Sequence, residues 1–190
     1  MQSRLGFLKQ WVKNPREIGS VTPSSRFLTR EVMQRIDFTR MKRIAELGPG
    51  TGVFTEAILE RLAPDGQIIA VDTNAAFVAH LRREIRDPRL TVIEGSAERI
   101  DEIVAEAGWD RADAIVSGIP YSLLPKPVKM GILEAVRRAL GGQGIFVGYQ
   151  YSRMLRPDLL TVFGNVHYRP VLLNIPPAFV YACRGRSFRP

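Results

Sequence analysis

Glu46-Leu47-Gly48-Pro49-Gly50-Thr51-Gly52 is the stretch on which the fold turns. Three glycines alternate with other residues directly after an apolar run, RIAEL from 43 to 47, and directly before VFTEAILERL, whose apolar positions recur at helical spacing. A strand that enters such a loop and leaves it as a helix opens a parallel α/β sheet. The glycines let the backbone turn tightly and let a ligand approach without meeting a Cβ. Their spacing is G-x-G-x-G. Dinucleotide loops use G-x-G-x-x-G, in which the third glycine packs helix on strand so that a pyrophosphate can sit at the helix N-terminus. The departure argues for a ligand without a pyrophosphate.

Outward from this loop, short apolar runs alternate with longer helical stretches. Strands are expected near 43–48, 67–72, 90–94, 112–117 and 143–150, with helices near 52–62, 74–86, 97–107 and 126–140. Gly141 and Gly142 stop the last of these helices, as a glycine just past a helix commonly does. The tail, HYRPVLLNIPPAFVYACR, reads as two strands joined by a Pro-Pro turn with no helix between them, so they should pair antiparallel. The expected fold class is α/β: a Rossmann-like, seven-stranded, mostly parallel sheet with a C-terminal antiparallel hairpin, preceded by N-terminal helices. The expected division is 1–40 for the helices and 41–190 for the domain that carries the loop.

The chain's 190 residues, 45% hydrophobic and 24% charged, suit one globular domain with a full core. No apolar run approaches the roughly 18 residues of a membrane span, and a cytoplasmic location is expected. A single cysteine, Cys183, excludes an internal disulfide, and two isolated histidines, His80 and His167, make a zinc site unexpected. The net charge of +8 divides unevenly: +7 over residues 1–43, −4 over 44–140 and +5 over 141–190. Basic ends around an acidic middle suggest a polyanionic partner, nucleic acid or an anionic lipid surface.

Asp72 closes the second strand 24 residues after Gly48, where a carboxylate can accept hydrogen bonds from both hydroxyls of a ribose. Glu46 is placed to act near a ligand's ammonium, directly or through water. A sulfonium ligand with an amino-acid tail, S-adenosylmethionine, meets these requirements, and Phe77 and Ile119 are candidate walls for its adenine. Taken in order, ELGPGTG at 46–52, Val71-Asp72, Gly95-Ser96-Ala97 and Ser117-Gly118-Ile119-Pro120-Tyr121 resemble the class I S-adenosylmethionine-dependent methyltransferases over about residues 40–185. The resemblance implies cofactor contacts from Glu46, Gly48, Gly50, Thr51, Gly52, Asp72, Thr73, Ser96, Ala97 and Ser117. Ser96 stands where that family usually has an aspartate on the adenine amino group, and offers a weaker, neutral partner.

Two branches of the superfamily are similar to this chain. Ribosomal RNA adenine dimethyltransferases end their fourth strand with Asn-(Leu/Ile)-Pro-Tyr, whereas this chain has Gly118 in place of the asparagine. Bacterial phospholipid N-methyltransferases carry Pro-Ser-Ser-Arg, Glu-Leu-Gly-Pro-Gly-Thr-Gly and Ser-Gly-(Leu/Ile)-Pro in that order. This chain has Pro23-Ser24-Ser25-Arg26, the loop and Ser117-Gly118-Ile119-Pro120, and so resembles the lipid branch over essentially its whole length. That resemblance implies methyl transfer to the amine of phosphatidylethanolamine, toward phosphatidylcholine, with RNA adenine methylation as the alternative. An adenine amine is conjugated and must be gripped and flipped out of its stack. A lipid amine needs only deprotonation and alignment.

Candidate substrate residues are Ile119 and Pro120 at the strand mouth and Tyr121, Tyr149 and Tyr151 as an aromatic enclosure for a quaternary head group. The proton acceptor is open among the Tyr151 hydroxyl, His167 and a water held by the Ser117 carbonyl. Ser24, Ser25 and Arg26 are candidates for the lipid phosphate, with the serines equally read as caps of the helix RFLTREVMQRI; Arg153 and Arg156 are second candidates. In RLGFLKQWVKN, Leu5, Leu8, Trp11 and Val12 share one helical arc with Phe7 at its edge, opposite Gln2, Lys9, Gln10 and Lys13. Such a helix suits the inner face of an anionic membrane, or caps the domain's own core.

Overall fold

The structure, a computed structural model, describes residues 25–184. One sheet holds seven strands: β1 Arg43–Leu47, β2 Gln67–Asp72, β3 Leu90–Glu94, β4 Ala114–Ser117, β5 Ile145–Gln150, β6 His167–Val171 and β7 Ala178–Arg184. Their order is β3-β2-β1-β4-β5-β7-β6. Strands β1 to β5 run parallel, while β7 lies antiparallel between β5 and β6. The chain winds outward from β1 through β2 to β3, then returns to β4 on the other side of β1. That reversal opens a crevice beyond the carboxyl ends of β1 and β4.

Helices cover both faces: α1 Arg26–Met33, α2 Val53–Leu59, α3 Ala75–Glu84, α4 Ile100–Glu106, α5 Lys126–Ala139 and α6 Arg156–Phe163. Alternation along each strand sorts the core into two layers. Ala45, Leu47, Ile115 and Phe146 meet Ile103, Leu133, Val136 and Phe163 of α4, α5 and α6. Ile44, Val116 and Val147 meet Leu28, Val32, Phe54 and Ile58 of α1 and α2. With both faces covered, β4 is buried at all four positions, which is why the central strands read as continuous apolar runs rather than alternating ones.

The seven-stranded sheet with an antiparallel tail agrees with the expectation. Helix α6 was not expected, although Leu155, Leu159, Val162 and Phe163 recur at helical spacing. Its punctuation was also present: Pro157 stands in the first turn and Gly164, with φ of 72°, takes the left-handed cap. Leu159 and Phe163 bury completely. The Lys129–Asp158 ion pair, 2.5 Å long with both side chains 16% exposed, ties α6 to α5. The amphipathic segment expected before residue 15, and Ser24, lie outside the described residues. Among the described residues no helix is long and apolar enough to cross a membrane.

Candidate active site

The loop after β1 divides its glycines between two tasks. Gly50, at φ of 56°, faces open space, with nothing within 4 Å of where a Cβ would stand. Gly52, at φ of 91°, begins α2, and a Cβ there would lie 2.9 Å from Leu81 Cδ2 and 3.0 Å from Ile85 Cδ1. Gly50 thus leaves room for a ligand, while Gly52 lets α2 close against α3. Thr51 is exposed beside them and does not border the crevice.

A cavity of about 330 Å³ opens at this loop. Asp72 and Thr73 form one side, with Asn74 and Phe77 of the α3 start, and Ser96, Ala97 and Glu98 form another. Gly118, Ile119 and Pro120 bound the side nearest β4. Asp72 accepts hydrogen bonds from the Asn74 N–H at 2.9 Å and the Gly50 N–H at 3.4 Å. Burial raises its carboxyl above the usual range, against the pull of those donors. The Thr73 N–H adds to these donors, yet a carboxylate's lone pairs leave room for more, and this one borders the cavity. Ser96 accepts from the Glu98 N–H at 3.2 Å and so caps the short turn Ala97–Arg99 at the cavity's edge.

Glu46 stands one layer deeper. It is 1% exposed and accepts a 2.6 Å hydrogen bond from the Thr55 hydroxyl of α2. Desolvation pushes its carboxyl up to about 7, the neighbouring Asp72 adds to the rise, and the Thr55 bond opposes it. The side chain does not border the cavity, so the structure places its charge under the glycine loop.

These residues fit S-adenosylmethionine. The open side of Gly50 admits a chain, Asp72 has acceptor capacity for ribose hydroxyls, and Phe77, Ala97 and Ile119 offer apolar walls to a base.

At the other end of the crevice, the SGIPY segment is held from three sides. The Gly118 N–H donates to the Leu47 carbonyl at 2.9 Å. The Ile119 N–H donates to Ser117 Oγ at 3.4 Å. Gln150 Nε2 donates to the Ile119 carbonyl at 2.8 Å. A Cβ on Gly118 would stand 2.8 Å from the Gly48 carbonyl oxygen and 3.4 Å from the Tyr149 hydroxyl. This packing leaves no room for the asparagine of the RNA-modifying branch.

The three tyrosines expected as one enclosure separate. Tyr149 stacks at a tilt on Phe54, with centroids 5.2 Å apart, and meets Tyr151 edge-on at 6.3 Å. Tyr149 stands by Gly118, while Tyr151 lies past the end of β5 and reaches Asn174. Tyr121 turns the other way: it is wholly buried, and its hydroxyl lies 3.1 Å from Ser117 Oγ, also buried. Its ring fills the layer beneath α5, because the proline before it starts a short turn that points the side chain inward. Tyr121 and the Ser117 side chain therefore stand behind the crevice wall.

His167 requires a correction as a candidate proton acceptor. It sits exposed on the outer strand β6, level with Ala182 of β7 and, through it, with Val147 of β5. Three strand spacings separate β6 from β4, about 14 Å, so its imidazole cannot reach an amine beside Ile119. Tyr151 remains nearby; burial raises its phenol, against a hydrogen bond from Asn174. Ser25 is the N-cap of α1, accepting from the Leu28 N–H at 3.3 Å. Arg26 and Arg153 are exposed, the former with its guanidinium 4.9 Å over the Phe27 ring.

Several cavity residues went unread in the sequence. Leu124, Val128 and Ile132 line it from α5 and the turn before it, and their spacing of four was the available signal. Glu98, on the cavity's edge, and Gln150, which holds Ile119 from behind, gave no such sign, since an isolated Glu or Gln has no period.

A sheet in this order, with a glycine-edged crevice and a ribose-height carboxylate at the end of β2, defines a class I methyltransferase that uses S-adenosylmethionine. The family model described as a methyltransferase domain matches residues 44–144. The chain belongs to that family. It is 30% identical to the ornithine lipid N-methyltransferase of Singulisphaera acidiphila over 185 residues, 94% of each chain. It is 33% identical to ribosomal RNA small subunit methyltransferase A of Geobacter metallireducens over 112 residues, 55% of this chain and 39% of that one. The crystal structure of human N-acetylserotonin methyltransferase in complex with S-adenosylmethionine has the same fold, with a TM-score of 0.64 at 12% identity, covering 98% of this chain and 57% of that one.

Proposed function

We propose that the protein moves methyl groups from S-adenosylmethionine to the amine of phosphatidylethanolamine and its mono- and dimethylated forms, toward phosphatidylcholine, at a membrane surface. The observation that carries this reading is the closure of Gly118 on Gly48: position 118 offers no side-chain amide to grip a base, the one at Gln150 is spent on the Ile119 carbonyl, and the Tyr149 hydroxyl stands beside Gly118. The full-length similarity to a lipid N-methyltransferase supports it.

The bound donor supplies an electrophilic methyl on a sulfonium. Asp72 would hold the ribose hydroxyls and the open side of Gly50 would admit the amino-acid tail, orienting the donor for the acceptor. Ile119 and Pro120, held by Gln150, would present the acceptor amine to a donor bound in the crevice. The crevice's apolar walls desolvate the amine and favour its neutral, nucleophilic form. With His167 out of reach and the Tyr151 phenol raised by burial, the proton leaves to water, and Tyr149, whose hydroxyl stands beside Gly118, is the aromatic nearest the growing cation.

Incubation with methyl-labelled donor against liposomes of phosphatidylethanolamine, liposomes containing an ornithine lipid, and ribosomal RNA tests the reading. Label in phosphatidylethanolamine is expected. Label confined to the ornithine lipid would move the substrate within lipid amines, and label in RNA alone would reject the proposal.

A further inference from the structure

The six-residue turn between β6 and β7 exposes three large apolar side chains in four positions: Leu172 is 73% exposed, Leu173 66% and Ile175 78%. Single exposed leucines need no explanation, but a cluster does. The turn is fixed rather than loose. Between those side chains Asn174, 3% exposed, accepts the Ser25 N–H at 3.2 Å, donates to the Pro176 carbonyl at 2.7 Å and bonds the Tyr151 hydroxyl.

Topology puts this tip beside the crevice. Gln150, the last residue of β5, pairs with Phe179 at the start of β7, so the turn projects from the same edge of the sheet as the carboxyl ends of the parallel strands. Tyr151 then bridges the turn to Tyr149, whose hydroxyl in turn stands beside Gly118. The surroundings are cationic: Arg26, Arg30, Arg153 and Arg169 are exposed. The nearby acid, Glu31, already faces Arg35 and Arg169.

We propose that this turn is a bilayer-docking wedge: Leu172, Leu173 and Ile175 enter the interface of an anionic membrane, the flanking arginines meet lipid phosphates, and the crevice mouth is held against the head groups. An apolar tip ringed by cations matches an anionic lipid surface. A second copy of the chain fits less well, because a convex tip of three side chains offers far less than the roughly 1,000 Å² a stable protein interface buries, and like-charged rims repel. The role as a crevice-positioning device rests on the lipid-amine reading above; the docking itself does not.

The test uses the full chain, wild type against Leu172→Glu/Leu173→Glu, with Asn174 left in place. Partition is measured by co-sedimentation with phosphatidylcholine vesicles that contain or lack phosphatidylglycerol. The variant should bind S-adenosylhomocysteine as wild type does, establishing that it folds, and should lose roughly tenfold or more in partition to anionic vesicles. Leu172→Ser/Leu173→Ser, milder for folding, should lose several-fold. Unchanged partition in a folded variant overturns the wedge, including the case where sedimentation velocity shows that the turn instead joins two copies, or where residues 1–24 carry the binding. Methylation of a monomerically dispersed short-chain phosphatidylethanolamine separates the two readings: retained there but lost on vesicles, it supports both, while vesicle binding without any lipid methylation leaves the wedge standing and removes the substrate assignment.

Discussion

The carbonyl oxygen of Gly48 lies 2.8 Å from the point where a Cβ on Gly118 would stand. The donor loop and the acceptor segment therefore touch backbone to backbone, and a side chain at 118 must push one of them aside. Restoring the asparagine of RNA adenine methyltransferases is expected to damage this protein rather than redirect it. Gly118→Asn should lower stability by about 1–3 kcal/mol, as overpacking does, and weaken donor affinity. Denaturant melts and calorimetry with S-adenosylhomocysteine would check this; full affinity, or new label in RNA, would contradict the acceptor assignment.

Asp72→Asn tests the ribose contact. Losing a charged acceptor should weaken donor binding by about 10- to 100-fold, the worth of one or two hydrogen bonds to a charged group. Because burial raises the Asp72 carboxyl, the free protein should not lose stability at neutral pH. Calorimetry and a thermal melt read the two effects separately, and an unchanged affinity would place the ribose elsewhere.

Glu46 gives a pH signature with a definite sign. Its carboxyl is raised from 4.5 to about 7, so the folded state holds the proton more tightly than the unfolded chain. The associated stability is complete below about pH 4.5 and is lost as pH rises through about 7, a change on the order of 3 kcal/mol. Glu46→Gln keeps an acceptor for Thr55 and removes the ionisation. Its stability should stay flatter across that window and exceed wild type at pH 8. Parallel slopes for the two proteins would show that Glu46 does not titrate there.

Tyr121 separates packing from catalysis. Tyr121→Phe removes one buried hydroxyl pair with Ser117 and should cost about 1 kcal/mol of stability, with methyl transfer within a few-fold of wild type. Tyr121→Ala should cost about 3–5 kcal/mol through the cavity it leaves. A large fall in kcat for the phenylalanine variant at unchanged stability would put the hydroxyl in the chemistry.

The route of the proton can be read from Tyr151→Phe. If water takes it, the shape of the pH–rate profile should match wild type, with activity lowered by no more than about tenfold from the lost contact to Asn174. Disappearance of an ionisation from the profile would instead make the phenol the base.

Much of this architecture was legible residue by residue. ELGPGTG announced a strand, a ligand-facing turn and a helix, because a glycine spacing constrains φ locally and needs no partner to be interpreted. Asp72 at the end of an apolar run was legible for the same reason. The split of Tyr121 from Tyr149 and Tyr151 was not: all three read as aromatics near a strand end, and only the short turn after Pro120 decides which ring goes inward. His167 was misjudged because distance along the chain says nothing of the two strands, β5 and β7, that lie between β6 and β4.

Sequence alone determined the succession of strands and helices, the donor loop and the carboxylate at its side, since each rests on local periodicity or on a backbone geometry open chiefly to glycine. The tertiary structure decided what depends on pairing across the sheet: the closure of Gly118 on Gly48, the burial of Glu46 beneath the loop, and the placing of Leu172, Leu173 and Ile175 at the edge that holds the crevice. Gly118 and Gly48 stand far apart in the chain, as do the 172–175 turn and the glycine loop, and only the reversal between β1 and β4, and the register of β5 against β7, brings them into reach; Glu46 is nine positions from Thr55, but its burial needs α2 folded over the sheet.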